Sequence, residues 1–214
     1  MEIHAYCEDY LELAQNNLGN MLDYAVNSLQ YDLRQFYDMF LVSGLSRQFE
    51  NGNPKYIAGM TGCELAKKVL SEIGQDVSNA EEEMYLDKSP EYWTGWALAF
   101  YQWYSAQRFG KIQKAVPVTE VLGMYSTMHE ADLMKFVAVM DGKIRDYYTE
   151  TNLKRIRKLA GYSQSELSRG AGVSIRQIQM LEQRKRDMNK VQLMTAFRLS
   201  KALGCSIEDL MEYI

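Results

Sequence analysis

Histidine, proline and cysteine are all scarce in these 214 residues, at two, three and three copies. Two histidines, His4 and His129, give little material for a base–nucleophile pair. His4 and Cys7 stand at a permissible ligand spacing, but two ligands do not make a metal site. Gly59-Met60-Thr61-Gly62 lacks the length and the Gly-Lys-Ser/Thr ending of a phosphate loop. The run Glu81-Glu82-Glu83 reads as a solvated loop rather than a carboxylate dyad. The expectation is a protein without catalytic residues, metal or cofactor. Cys7, Cys63 and Cys205 are odd in number, far apart and free of any CxxC pattern, which fits free thiols in a reducing cytoplasm. No apolar run exceeds the six residues Trp96–Tyr101, too few to span a membrane, and the opening Met-Glu-Ile-His-Ala has no apolar h-region. Nothing alternates with period two for long, so no sheet is expected and the fold class is all-α.

The few prolines, Pro54, Pro90 and Pro117, fall where helices would begin or end. The first 150 residues read as a run of helices. One starts near Ile3 with Tyr6, Tyr10, Leu13 and Ala14 on a face, and is expected to weaken or kink at Asn16–Asn20 before Met21–Leu29. A second spans about Asp32–Phe49 and is closed by Glu50-Asn51-Gly52-Asn53-Pro54. A third runs from Thr61 or Gly62 to Ile73, ended by Gly74. Ser89-Pro90-Glu91 is a strong helix start, and the helix it opens carries Trp93, Trp96, Phe100 and Trp103 at spacings of three and four. Thr127 with Glu130 reads as a capping box opening a helix to about Tyr148. Of the 25 aromatic residues, 22 lie in this half, including every tryptophan. A stripe at helical spacing is ordinarily core. The sharper reading of Trp93, Trp96, Phe100 and Trp103 is a partner or ligand surface, where such side chains are enriched.

Charge divides the chain. Residues 151–214 carry 12 Lys and Arg against 6 Asp and Glu, a net of +6; residues 1–150 carry 12 against 22, a net of −10. An acidic half and a basic half point to two domains with different partners, 1–149 and 150–214. Counterion release drives polyanion binding, so the local +6 outweighs the acidic total. Lys154, Arg155, Lys158, Arg184, Lys185, Arg186 and Lys190 are the candidates for phosphate contact.

The basic half holds the most specific pattern. Two short amphipathic segments, Ser163–Arg169 and Ser174–Gln183, flank the break Gly170-Ala171-Gly172-Val173. Glycine there takes the positive φ that a tight turn between steeply crossing helices needs. Ser163 and Ser174 stand where N-cap hydroxyls belong, with Glu166 three after Ser163 as in a capping box. Leu167, Ala171, Val173, Ile178 and Leu181 fall on one side. That leaves Ile175, Arg176, Gln177, Gln179 and Met180 facing outward from the second helix, a shape that fits a major groove.

The stretch from about Asn152 to Tyr213 resembles the Cro/repressor (XRE) type of helix-turn-helix domain, the family of the lambdoid phage repressors. Leu153, Ile156, Arg157, Gln164, Leu167, Gly172, Ile178, Leu181, Glu182 and the ending Leu203–Leu210 carry the resemblance. It implies a five-helix DNA-binding domain that binds double-stranded DNA. It also implies that Arg157 pairs with Glu182, that Ile175, Arg176 and Met180 read bases with Gln177 nearby, and that Gln164 bonds a phosphate while bracing the recognition helix. Ser163, Ser174, Arg184, Lys185, Arg186 and Lys190 complete the expected phosphate set. The chain departs from the pattern at Ser168, where relatives carry a small alanine, and at Gln183-Arg184, where they carry Asn-Gly. Two whole-protein functions follow. One is a transcriptional regulator, a repressor, whose first domain dimerises or senses something, with protein–protein contact favoured over a small-molecule sensor. The other is an antitoxin whose first domain masks a toxin while the second represses the shared operon. A DNA-modifying enzyme would need a catalytic constellation that the sequence lacks.

Overall fold

The computed structural model describes residues 4–75 and 88–212, and contacts divide it into two compact units, Met1–Ile144 and Arg145–Ile214. The described residues form helices and no strand. The acidic run Glu81–Glu83 lies outside them, as do the proposed helix start at Ile3 and the end of the repressor-like stretch at Tyr213.

In the first unit a short 3-10 turn, Glu8–Tyr10, leads into α1 (Leu11–Asp23). The expected kink at Asn16–Asn20 is absent. These residues are used between helices: the Tyr92 hydroxyl donates to Asn16, and Asn17 donates to the carbonyl of Ile57. The irregularity comes later, as a π-helical turn over Tyr24–Ser28. The single helix expected over 32–49 is two, α2 (Leu33–Val42) and α3 (Leu45–Glu50), because Gly44 takes φ +81 between them. Asp32 caps α2 by accepting from the Gln35 amide. After α4 (Pro54–Ile57), Thr61 and Glu64 close a capping box on α5 (Gly62–Glu72), which ends before Gly74 at φ +80.

Ser89 caps α6 (Pro90–Ser105), with proline in the first turn. Three short helices follow, α7 (Phe109–Ala115), α8 (Val118–Gly123) and α9 (Tyr125–Met128), before α10 (Leu133–Tyr147). The capping box expected at Thr127 does not form. Thr127 lies inside α9 and donates back to the Met124 carbonyl, while Asp132 accepts from the Met134 amide at the start of α10.

Helix α1 packs against α6 through glycine. A Cβ on Gly95 would sit 2.4 Å from the Leu18 carbonyl oxygen, and one on Gly19 would sit 2.8 Å from the Tyr92 ring. Around this crossing Leu18, Met21, Leu22, Ala97 and Leu98 are buried. Phe40, Phe49 and Phe109 form a second cluster, with ring centroids 5.6–6.5 Å apart. Burial of each such ring contributes on the order of 1.5–3 kcal/mol.

The tryptophan face is largely core. Trp93 is buried edge-on against Tyr125 and Phe136, and Trp103 is buried under His4, which stacks on it at 3.9 Å. Trp96 and Phe100 are half-buried. Trp93 and Trp103 therefore belong to the packing of the unit and offer no free surface.

The second unit holds α11 (Asn152–Leu159), α12 (Gln164–Ala171), α13 (Ile175–Glu182), α14 (Leu193–Leu203) and α15 (Ile207–Leu210), with a 3-10 turn at Met188–Lys190. Leu153, Leu167, Ile178, Leu181, Leu199 and Leu210 make its core, with Met188 filling from the loop. Thr151 caps α11 by accepting from the Lys154 amide.

Candidate nucleic-acid interface

The turn between α12 and α13 is built by capping at both ends. Ser163 and Glu166 form the expected box at the start of α12. That helix continues through Gly170 to Ala171, and the one left-handed residue is Gly172 at φ +62. Ser174 then caps α13 by accepting from the Gln177 amide. The Ser168 hydroxyl donates to the Val173 carbonyl at 2.7 Å, stitching the turn from inside. Ser168 thus satisfies a part-buried carbonyl of the turn with its own side chain.

A charged lattice holds the recognition helix α13 from behind. Arg157 grips Glu182 with two parallel bonds, Nε to Oε1 at 2.6 Å and a terminal nitrogen to Oε2 at 3.0 Å. Its third nitrogen donates to the Tyr162 carbonyl at 2.7 Å. The two side chains are only 10% and 2% exposed, and the bond to Glu182 raises the guanidinium pKa. Gln164 donates to the same carboxylate at 2.8 Å and accepts from Gln179 at 3.4 Å. One amide proton of Gln164 is thus committed inward, and the other is free for a phosphate. Gln179, expected at the bases, is half-buried and turned to Gln164.

On the outer side, Ile175 is 42% exposed and Arg176 is exposed, while Gln177 and Met180 are half-buried. This face presents one forked cation flanked by apolar atoms. An arginine can donate to guanine O6 and N7 together, and an isoleucine or methionine can meet a thymine methyl.

The expected phosphate set separates into groups. Ser163 and Ser174 are exposed and use their hydroxyl oxygens as acceptors; the Ser174 proton remains available to an anion, while the Ser163 hydroxyl also pairs with that of Ser165 at 3.1 Å. Lys185 and Arg186 are exposed, and Lys190 is exposed beside Asp187 at 3.5 Å. Lys154 and Lys158 both bond Glu150, at 3.1 and 2.6 Å, and hold its carboxyl below the usual carboxylate range. At such exposure these pairs contribute little and yield readily to a phosphate.

Arg184 departs from the expectation. Its guanidinium turns back to the carbonyls of Thr149 and Tyr148, each at 3.0 Å, and lies 3.6 Å from the Glu212 carboxylate. The physical reason is its place in the chain. The amide of Arg184 donates to Leu181 O and that of Lys185 to Met180 O, the bond pair that closes a helix with a left-handed residue. Arg184 is that residue, at φ +54, a conformation that glycine adopts without strain. Asn152, Asn189 and Glu212, which gather here, drew no attention in the sequence, because their roles arise only when the two ends of the unit meet. The Asn152 amide donates to the Glu212 carboxylate, and the Glu212 amide donates to Asn189 at 2.8 Å.

Residues 153–210 match the helix-turn-helix family model. The second unit is a helix-turn-helix domain of the XRE type. It is the DNA-binding domain of a transcriptional regulator. No family model matches the first unit. No curated protein and no solved structure matches the chain. Among the described residues no cluster of His, Cys, Asp and Glu could hold a metal ion, and no helix is long and apolar enough to cross a membrane.

Proposed function

We propose that the protein is a sequence-specific repressor, reading duplex DNA with α13 and using its helical first unit for protein–protein contact, either with a second copy or with another protein. The observation that carries the reading is the brace behind α13. A buried bidentate pair, joined by Gln164, fixes the helix so that Ile175, Arg176 and Met180 present a rigid edge. The +6 balance of residues 151–214 supplies the sequence-independent attraction that any such reader needs. A domain of this size covers about half a typical site, so tight binding calls for two copies on half-sites about one helical turn apart. The acidic, aromatic-rich first unit suits a basic or amphipathic protein surface better than a small polar ligand.

Selection of duplexes from a random pool by the full chain tests the reading, followed by a reporter driven from a promoter that carries the selected sequence. The expected outcome is one enriched motif and a reporter silenced by the intact chain but not by Arg176→Ala. A pool that returns no motif contradicts sequence-specific reading, and a motif whose reporter is activated contradicts repression.

A further inference from the structure

The guanidinium of Arg184 faces away from the outer side of α13, and its backbone occupies the left-handed region at φ +54 that glycine fills without strain. Arginine is strained there where glycine would not be, and its side chain makes contacts that glycine could not. What it reaches is the chain entering the domain, at the carbonyls of Tyr148 and Thr149, and the chain leaving it, at Glu212. Glu212 is itself fixed from two more sides, by the Asn152 amide at the start of α11 and by Asn189 in the loop after α13. The next two residues, Lys185 and Arg186, both bond Met180 O through their amides and have exposed side chains.

We propose that Arg184 is a positioning residue and not a phosphate contact: it fastens the entering and leaving strands of the domain to the end of the recognition helix, holding the loop of Lys185 and Arg186 in the pose that meets DNA. The inference rests on the DNA-reading function proposed above. It also links the fastening to DNA binding, since any event that draws residues 148–149 away from Arg184 changes DNA affinity, and DNA binding in turn stabilises the fastened state.

Two substitutions separate this role from its alternatives. Arg184→Gly removes the fastening but relieves the backbone. Arg184→Lys keeps the charge but cannot reach two carbonyls and a carboxylate as a planar fork does. With a duplex selected by the full-length parent, both variants are expected to bind about tenfold more weakly. The melting temperature of Arg184→Gly holds or rises, so affinity and stability part ways. Amide hydrogen exchange reads the fastening without DNA. In Arg184→Gly the Asn152 amide exchanges about tenfold faster. Arg184→Lys binding as tightly as the parent identifies a phosphate contact and overturns the proposal. So does an Arg184→Gly protein that loses stability and affinity together, or one whose Asn152 amide exchanges at the parent's rate. A parent that binds no duplex, with accelerated Asn152 exchange in the variant, refutes DNA reading while leaving the fastening intact.

Discussion

Breaking the Arg157–Glu182 pair from one side should cost far more than a surface ion pair. Arg157→Ala strands a carboxylate 2% exposed, with Gln164 as its remaining donor, and frees the Tyr162 carbonyl. An uncompensated buried charge of this kind costs about 3–5 kcal/mol. Glu182→Ala strands the guanidinium at 10% exposure, retains the bond to Tyr162, and should fall at the lower end of that range. A unit of this size holds only about 4–10 kcal/mol in all, so either change brings it near its threshold. Arg157→Ala with Glu182→Ala removes both charges together, so that neither is left buried without a partner. It should lose much less than the two singles combined, leaving a coupling of about 2–3 kcal/mol. Urea denaturation by far-UV circular dichroism measures the cycle. Trp93, Trp96 and Trp103 all lie in the first unit, so tryptophan fluorescence follows that unit while dichroism adds the second. Coupling within error of zero in folded variants would falsify the brace.

Three further outcomes follow. Arg176→Ala should cost about 1–3 kcal/mol of binding and relax the preference at one base pair; equal loss on selected and unrelated duplexes in a fluorescence titration makes Arg176 a phosphate contact. Gly95→Ala forces a Cβ to 2.4 Å from Leu18 O and 2.9 Å from the Gly19 Cα, so α1 and α6 must separate, at a cost of about 1–3 kcal/mol or more. Gly110→Ala meets nothing within 4 Å and should be neutral or gain about 0.4–1 kcal/mol; melting curves in which the two variants behave alike refute the glycine crossing. Burial lifts the Glu50 carboxyl above its usual range, only partly opposed by the Phe109 amide, Arg108 and Arg47. The folded state therefore holds that proton more tightly than the unfolded one, and its contribution is lost as pH rises through the raised value. Glu50→Gln should stabilise the first unit at neutral pH, with the gain closing as pH falls through the carboxylate range; a gain unchanged with pH contradicts the titration.

The second unit was legible because its signals are local. Ser163 with Glu166, Ser174 and Gly172 act within a few residues of themselves, and each stands in the role its spacing indicated. The first unit was legible as helices but not as boundaries. Gly44 reads as an ordinary small residue until its φ of +81 divides one helix into two. Asn16, Asn17 and Gly19 looked like a weak point of α1, yet their polarity and smallness serve neighbours at Tyr92, Ile57 and Gly95, far away in sequence. Tryptophans at helical spacing mark a buried stripe and an exposed groove with the same pattern, and only the partners Tyr125, Phe136 and His4 decide between them. Arg184 was misplaced for a related reason. A charge run shows which side chains are basic, while the direction each takes depends on the left-handed turn beneath it.

The most direct test of sequence-specific reading is the affinity of the full chain for its selected duplex and for a scrambled duplex of equal length, titrated at two salt concentrations. The predicted result is a preference of about a thousandfold or more for the selected duplex, with both affinities falling as salt rises. Equal affinity for the two duplexes, or binding indifferent to salt, contradicts it.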